Sequence, residues 1–286
     1  MTLNQLYKKC IKLLGSSSDT PGLDARIIAQ YVLNIEYNSF ILHSQDIVSP
    51  LDEQAILELI ARRADGEPVA YLTGQRGFYE DVFVVNQYTL IPRADTEILV
   101  EEAIKLGLES AKTHLEILDL CCGTGCIGIS VAKALAKQGK DVNLVLSDIS
   151  KEALEVCSEN CRRILSSIGI RYEVVMGDLF EGVKTKDFDL LLTNPPYIAT
   201  AVIETLQEQV KKEPHLALDG GEDGLELIKK IVAVAPKHLK EGSHLLMEIG
   251  YDQGQAVKEL FEDANLSQIE IKKDLGGRAR VVIGAF

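Results

Sequence analysis

The sequence predicts an α/β protein: a doubly wound, mostly parallel sheet, preceded by a small helical domain. Three observations predict it. From residue 115 onward, short apolar runs alternate with amphipathic stretches of helical length. The first of these strand-to-helix transitions is rich in glycine, and residues 1–75 carry helical spacing with no strand pattern.

The N-terminal elements follow from periodicity and punctuation. Leu3, Leu6, Tyr7, Cys10, Leu13 and Leu14 recur at helical spacing, as do Ala25, Ile28, Ala29, Val32 and Leu33. Ser49-Pro50 reads as a helix start, with Asp52 and Glu53 favourably placed against the dipole, and Asp65-Gly66 reads as its end. Val82–Val85 and Tyr88–Ile91 flank Asn86-Gln87, which predicts a β-hairpin linker over residues 76–93 between a helical domain (1–75) and a larger domain (94–286). A long amphipathic helix is expected from about Asp95 to Ala111. Strands are then expected at 117–120, 142–146, 172–176, 188–192, 243–249, 267–273 and 279–285, and helices at 125–138, 151–167, 223–239 and 252–263. No internal repeat or low-complexity tract interrupts this order.

Composition narrows the function. The chain has 286 residues, 46% hydrophobic and 26% charged, as expected of a globular protein able to bury a sizeable core. Its net charge of −13 argues against an autonomous binder of nucleic-acid backbone, which gains most of its affinity by neutralising phosphate. The first 75 residues carry six Lys/Arg and nine Asp/Glu, so they form no basic arm. Six cysteines are unevenly placed: three crowd residues 121–126, Cys157 and Cys161 lie a helical turn apart, and Cys10 stands alone. That pattern suggests reduced thiols in a cytoplasmic protein, without the short spacing of a zinc ribbon, so no metal is expected. No apolar run is long enough to span a membrane, and the N-terminus lacks the features of a secretory signal.

The glycine-rich transition is Asp119-Leu120-Cys121-Cys122-Gly123-Thr124-Gly125-Cys126-Ile127-Gly128. Its G-x-G-x-x-G spacing lets backbone turn tightly and approach a nucleotide, and alone it would suit a dinucleotide. An ordinary glycine turn is the competing explanation. Asp119 favours S-adenosylmethionine over NAD, because a carboxylate there attracts an ammonium and repels a pyrophosphate. Asp148, ending the next strand, can accept from ribose hydroxyls or cap the following helix. After the third strand, Asp178 can accept from an adenine amino group while Leu179 or Phe180 packs on the ring; a plain turn is the alternative.

The decisive segment is Asn194-Pro195-Pro196-Tyr197, reached directly from the apolar run Leu191-Leu192-Thr193. Neither proline can donate to a sheet, so the strand must end in a rigid turn. The Asn194 amide oxygen and the Pro195 carbonyl then form a pair of acceptors for both hydrogens of a planar NH2 group, and Tyr197 offers a stacking face. Such a site suits methyl transfer to an amide or exocyclic amine. Fixing the weakly nucleophilic nitrogen supplies orientation, and the two acceptors favour its pyramidal form.

Together these motifs resemble the class I methyltransferases that modify planar NH2 groups, and more narrowly the HemK/PrmC family, which methylates the glutamine of the Gly-Gly-Gln motif in peptide-chain release factors. The resemblance covers nearly the whole chain, and the class I methyltransferase fold it implies has a mostly parallel sheet with an antiparallel last strand. Glu67–Gly74, Ile91–Glu97, Glu213-Pro214, Leu216–Gly224 and Asp274–Arg278 look familial as well. The resemblance implies that Cys121, Cys122, Gly123, Thr124 and Gly125 form the cofactor loop, Asp148 the ribose ligand and Leu179 an adenine neighbour. It further implies that Asn194, Pro195, Pro196 and Tyr197 form the substrate-amide site, that class I release factors are the partners, and that the enzyme is a cytoplasmic monomer. Cys121 departs from the family's usual first glycine, Ala94 from a usual proline and Leu179 from a frequent aromatic residue. A positive φ at Cys121 would be strained.

Three other readings compete. A DNA adenine-N6 methyltransferase would present the same amine to the same four residues, but must grip phosphates with an acidic chain. An NAD-dependent oxidoreductase would use Gly123, Gly125 and Gly128 and leave Asn194–Tyr197 without a role. A non-catalytic binding module would leave both constellations as relics.

Overall fold

The computed structural model describes residues 1–184 and 187–286, and the chain divides into two compact units. The first comprises Met1–Gln75 with Gln207–Lys212; the second comprises Arg76–Leu206 with Glu213–Phe286.

The first unit holds helices α1 (Leu3–Leu14), α2 (Pro21–Leu33), α3 (Tyr37–Leu42), α4 (Pro50–Ala64) and α5 (Val69–Thr73). Helix α1 opens with reciprocal capping: Thr2 Oγ1 accepts from the Gln5 N–H, and Gln5 Oε1 accepts from the Thr2 N–H. Leu3, Leu6, Cys10 and Leu14 of α1 join Ala25, Ile28, Phe40, Ile56 and Ile60 in one core. Leu13, read from spacing as part of that stripe, faces solvent instead. It neighbours Leu14, and adjacent residues on a helix point about 100° apart. Helix α4 starts where Ser49-Pro50 predicts, with Ser49 Oγ accepting from the Asp52 N–H. A buried ion pair ties α2 to α4: Arg63 Nε donates to Asp24 Oδ2 at 2.7 Å, and the Ser18 and Thr20 hydroxyls donate to the same carboxylate.

The strands β1 (Gln75–Phe78) and β2 (Asp81–Val84) pair as a hairpin, which apart from Gln75 belongs to the second unit. The hairpin therefore turns at Tyr79-Glu80 rather than at Asn86-Gln87. Residues 86–89 do form a turn, with the Thr89 N–H donating to the Asn86 carbonyl and the Tyr88 N–H to Asn86 Oδ1, but no strand follows it. The Ile91 N–H goes to Glu213 Oε2 instead of a ladder, and Pro92 has none to give. Asn160 takes the place of a further strand beside β2, accepting from the Val84 N–H and donating to the Val84 carbonyl.

The main sheet has seven strands: β3 (His114–Leu120), β4 (Asp141–Asp148), β5 (Arg171–Met176), β6 (Phe188–Thr193), β7 (Leu239–Glu248), β8 (Ser267–Lys273) and β9 (Ala279–Ala285). Their order is β5-β4-β3-β6-β7-β9-β8. The first five are parallel, as the alternating pattern predicts, and β9 is antiparallel to both β7 and β8, as the resemblance implies. Helices α6 (Glu97–Glu109), α7 (Cys126–Lys137) and α8 (Lys151–Leu165) pack their apolar sides into one buried cluster with β3 and β4. Helices at Glu226–Val234 and Gly254–Asp263 join a second cluster with β7. The helix expected over 223–239 is shorter because Pro236 sits in a 3-10 turn and β7 starts at Leu239.

Strands β3 and β6 lie side by side although much of the chain separates them, so the sheet's direction of winding reverses there. A crevice at the carboxyl ends of the strands is the expected ligand site in such a sheet. Among the described residues no helix is long and apolar enough to cross a membrane.

Candidate active site

A cavity opens at that reversal. The glycine turn leaving β3 forms its floor. Cys121 stands at φ +58°, Gly123 at +53° and Gly125 at +76°, so the chain turns sharply before α7 begins. The strain foreseen at Cys121 is therefore present, in a region where side chains other than glycine or asparagine are disfavoured. Cys121, Cys122, Gly123 and Thr124 line the cavity; Gly125 does not. Gly125 instead permits close packing, since a Cβ there would come within 2.8 Å of Cys157 Sγ. Gly128 does the same against β3, where a Cβ would come within 2.8 Å of Asp119 Cβ. Burial pushes the Cys126 thiol up to about 12 and raises that of Cys121, so both stay protonated and act as small apolar surface.

Asp119 lies beneath the loop rather than in the cavity lining. It is fully buried, its Oδ2 accepts from the Gly128 N–H at 2.8 Å, and among the described residues its Oδ1 has no partner. Desolvation drives its carboxyl up to about 7, against the pull of the Gly128 hydrogen bond and with a smaller push from the Asp148 charge. Asp148 does line the cavity. Its Oδ2 accepts from the Gly123 N–H at 2.8 Å and its Oδ1 from the Ser150 N–H at 2.9 Å. The cap of α8 is Ser150, not Asp148, because Ser150 Oγ accepts from the Ala153 N–H. The Ile149 N–H also acts on this carboxylate, which still has acceptor capacity for a ligand hydroxyl.

Asp178 and Leu179 line the next part of the wall. Leu179 sits at φ +52°, its carbonyl held by the Ser147 hydroxyl. Phe180, the other residue considered for stacking on adenine, turns away and stacks on His238 with ring centroids 4.5 Å apart. Beyond β6, Asn194 and Pro196 line the cavity, while Pro195 is buried. Among the described residues no protein group hydrogen-bonds the Asn194 side chain or the Pro195 carbonyl, so both acceptors remain available. Tyr197 is not in the lining; its phenol donates to the buried Glu248 at 3.2 Å.

Spacing and motif logic did not assign the opposite wall. Leu90, Pro92, Arg93 and Thr96 come from the segment before α6, and Pro214 and Leu216 from the segment after residue 212. Glu213 joins the two, accepting from the Ile91 N–H and from the Arg93 guanidinium. The signal was present in Ile91–Glu97 and Glu213-Pro214, but nothing in local sequence says that they meet.

The lining suits S-adenosylmethionine better than a dinucleotide. Its acids are Asp148 and Asp178, its one cation is Arg93 already matched by Glu213, and an N–H of the first turn of α7 is committed to Asp119. A pyrophosphate would meet two carboxylates and a neutralised helix end. Carboxylates that accept from hydroxyl and amino groups, an apolar wall and a glycine floor match a nucleoside bearing a positive sulfonium. Among the described residues no three His, Cys, Asp or Glu side chains are grouped to hold a metal ion.

Fold and crevice define an S-adenosylmethionine-dependent methyltransferase of class I. Known proteins agree. The model of the PrmC N-terminal domain matches residues 5–74, and that of the methyltransferase small domain matches residues 96–272. The release factor glutamine methyltransferase of Koribacter versatilis is 35% identical, covering 99% of this chain and 98% of that protein. Its namesake from Caulobacter vibrioides is 35% identical, covering 96% and 92%. Among solved structures, the N-terminal domain of human METTL16 in complex with SAH superposes with a TM-score of 0.52 at 14% identity, covering 90% of this chain and 94% of that one, a likeness of fold. The chain belongs to the HemK/PrmC family of release factor glutamine methyltransferases.

Proposed function

We propose that this chain transfers a methyl group from S-adenosylmethionine to the side-chain amide nitrogen of the glutamine in the Gly-Gly-Gln motif of class I peptide-chain release factors. The observation that carries this reading is the Asn194–Tyr197 turn, whose Asn194 and Pro196 line the same cavity as the glycine loop. When bound, the cofactor supplies an electrophilic methyl on a sulfonium that departs as a neutral thioether. Cys121–Thr124 cradle it, Asp148 takes its ribose hydroxyls, and Asp178 and Leu179 meet the adenine.

Asn194 Oδ1 and the Pro195 carbonyl accept the two amide hydrogens of the glutamine. This fixes the nitrogen and lets its lone pair leave conjugation, and the orientation gained is the main catalytic contribution. The departing proton passes to water once the nitrogen has been alkylated. The helical N-terminal unit and the hairpin help seat the protein substrate, and the enzyme acts in the cytoplasm as a monomer. The relatives' names and the acidic chain support a protein rather than a DNA substrate.

Tritiated cofactor offered with a release factor or with duplex DNA tests the proposal. Label is expected on the release factor, at the Gly-Gly-Gln glutamine by mass spectrometry; label on DNA alone overturns it. Asn194→Ala is expected to lower turnover at least ~100-fold, the scale of losing one aligned polar group at a reacting centre, while S-adenosylhomocysteine still binds. Retained turnover would remove Asn194 from the mechanism.

A further inference from the structure

Tyr197 is fastened at two points. Its phenol donates to Glu248 Oε1 at 3.2 Å, and its backbone carbonyl accepts from Gln253 Nε2 at 3.0 Å. Glu248 ends β7 and is 1% exposed. Gln253 is also buried, and its amide is fully used: Nε2 donates a second time to the Gly224 carbonyl at 3.1 Å, and Oε1 accepts from the Gly250 N–H at 2.8 Å. On the other side of the turn, Thr193 is locked into the sheet between Leu120 of β3 and Met247 of β7. The four residues that present the acceptors thus run from one fixed strand end to an anchor on its neighbour.

The surroundings close on this anchor. A Cβ at Gly224 would come within 2.4 Å of the Tyr197 carbonyl oxygen, and one at Gly220 within 2.8 Å of Tyr197 Cα. The glycines of the 220–224 segment therefore let its backbone press directly on the turn. Two successive prolines remove most internal freedom, so a shift at Tyr197 is passed to Asn194 and Pro195 rather than absorbed. The Thr96 hydroxyl and the Arg280 charge also act on the buried Glu248 carboxylate, whereas its bond to the phenol is its link to the turn; Tyr197 is not in the cavity lining, so that contact acts through the turn.

We propose that Glu248 is a positioning residue for methyl transfer: by holding the Tyr197 phenol, with Gln253 on the carbonyl, it sets the orientation in which Asn194 and Pro195 meet the substrate amide. The inference rests on the reading of that turn as the amide site. Glu248 touches no reacting atom, and its effect reaches kcat rather than donor binding.

Three variants test it: E248A, E248Q and Y197F, assayed for kcat on release factor and for S-adenosylhomocysteine affinity by calorimetry. E248A and Y197F should each lower kcat roughly 10- to 100-fold, the scale of a displaced positioning group, and leave the affinity within about threefold. E248Q keeps an oxygen that accepts from the phenol and should stay within about threefold of the parent kcat. The double variant E248A/Y197F should be no worse than the poorer single, because both remove one contact. Multiplicative losses, an E248Q as impaired as E248A, or an unchanged kcat in Y197F each overturn the proposal. Y197F deletes a single oxygen and keeps the ring, so it decides the matter even if E248A does not fold. A parent enzyme that leaves release factor unlabelled sinks the substrate assignment instead, which keeps the two failures apart.

Discussion

Replacing Asp119 by Asn should change the pH dependence of stability in a way that no surface carboxylate would. Asp119 is fully buried, with one oxygen on the Gly128 N–H and the other without a partner among the described residues. Its carboxyl is raised from 3.8 to about 7 in the folded chain. Between those values the folded state keeps a proton that the unfolded state has released. Stability is therefore greatest below the unfolded pKa and is lost as pH rises to about 7, at up to ~1.4 kcal/mol per pH unit and on the order of 4 kcal/mol in all. Asparagine does not titrate and can still accept from Gly128, but its NH2 group lacks an acceptor, a constant cost of about 1–3 kcal/mol. The variant should be the weaker protein near pH 4 and match or pass the parent above pH 7. Urea unfolding of both proteins from about pH 4.5 to about pH 8 measures the difference, and the other carboxylates cancel in it. A difference constant to within about 0.5 kcal/mol across that range would refute the assignment of a buried, proton-holding Asp119.

Other substitutions probe different parts of the molecule. Cys121→Gly relieves a positive φ worth about 1–2 kcal/mol but loosens the unfolded chain by about 0.5–1 kcal/mol, so its urea stability should equal or slightly exceed the parent's. Cys121→Val puts a β-branched residue in the same backbone state and should lose at least ~2 kcal/mol, with weaker S-adenosylhomocysteine binding by calorimetry. Arg63→Met strands the buried Asp24 carboxylate and should cost about 3–5 kcal/mol by urea unfolding, while Asp24→Leu added to it should recover most of the loss.

What the sequence disclosed was local. The turn after β3 was legible because an apolar strand runs into glycines, and the Asn194–Tyr197 turn because two prolines cannot remain in a sheet. Helix α4 was legible from Ser49-Pro50. The hairpin was misplaced by one run because β-propensity in Val82–Val85 does not name its partner; Gln75–Phe78, with an arginine and a glycine, has little strand character of its own. The opposite wall of the cavity and the Tyr197 anchor stayed hidden for the same reason. Glu213 reaches Ile91 across 122 residues and Tyr197 reaches Glu248 across 51, and neither acid differs in local pattern from an exposed one. The fate of Phe180 was equally invisible, since its partner His238 comes from a later part of the chain.

The placement of β9 between β7 and β8 has a consequence for how the protein is made. Residues 279–285 leave the ribosome after every other strand of this sheet, yet they occupy its interior, hydrogen-bonded on both sides. Until they emerge, β7 offers a bare apolar edge and β8 has nothing to pair with, a combination that invites mispairing with other chains. The nascent enzyme can form its glycine turn early, but β7, which carries Glu248, gains its second neighbour only after all the other strands of the sheet have been made. Deleting residues 279–286 should therefore be far more damaging than their number suggests, and a ribosome stalled just short of them would display an aggregation-prone intermediate rather than a nearly finished sheet.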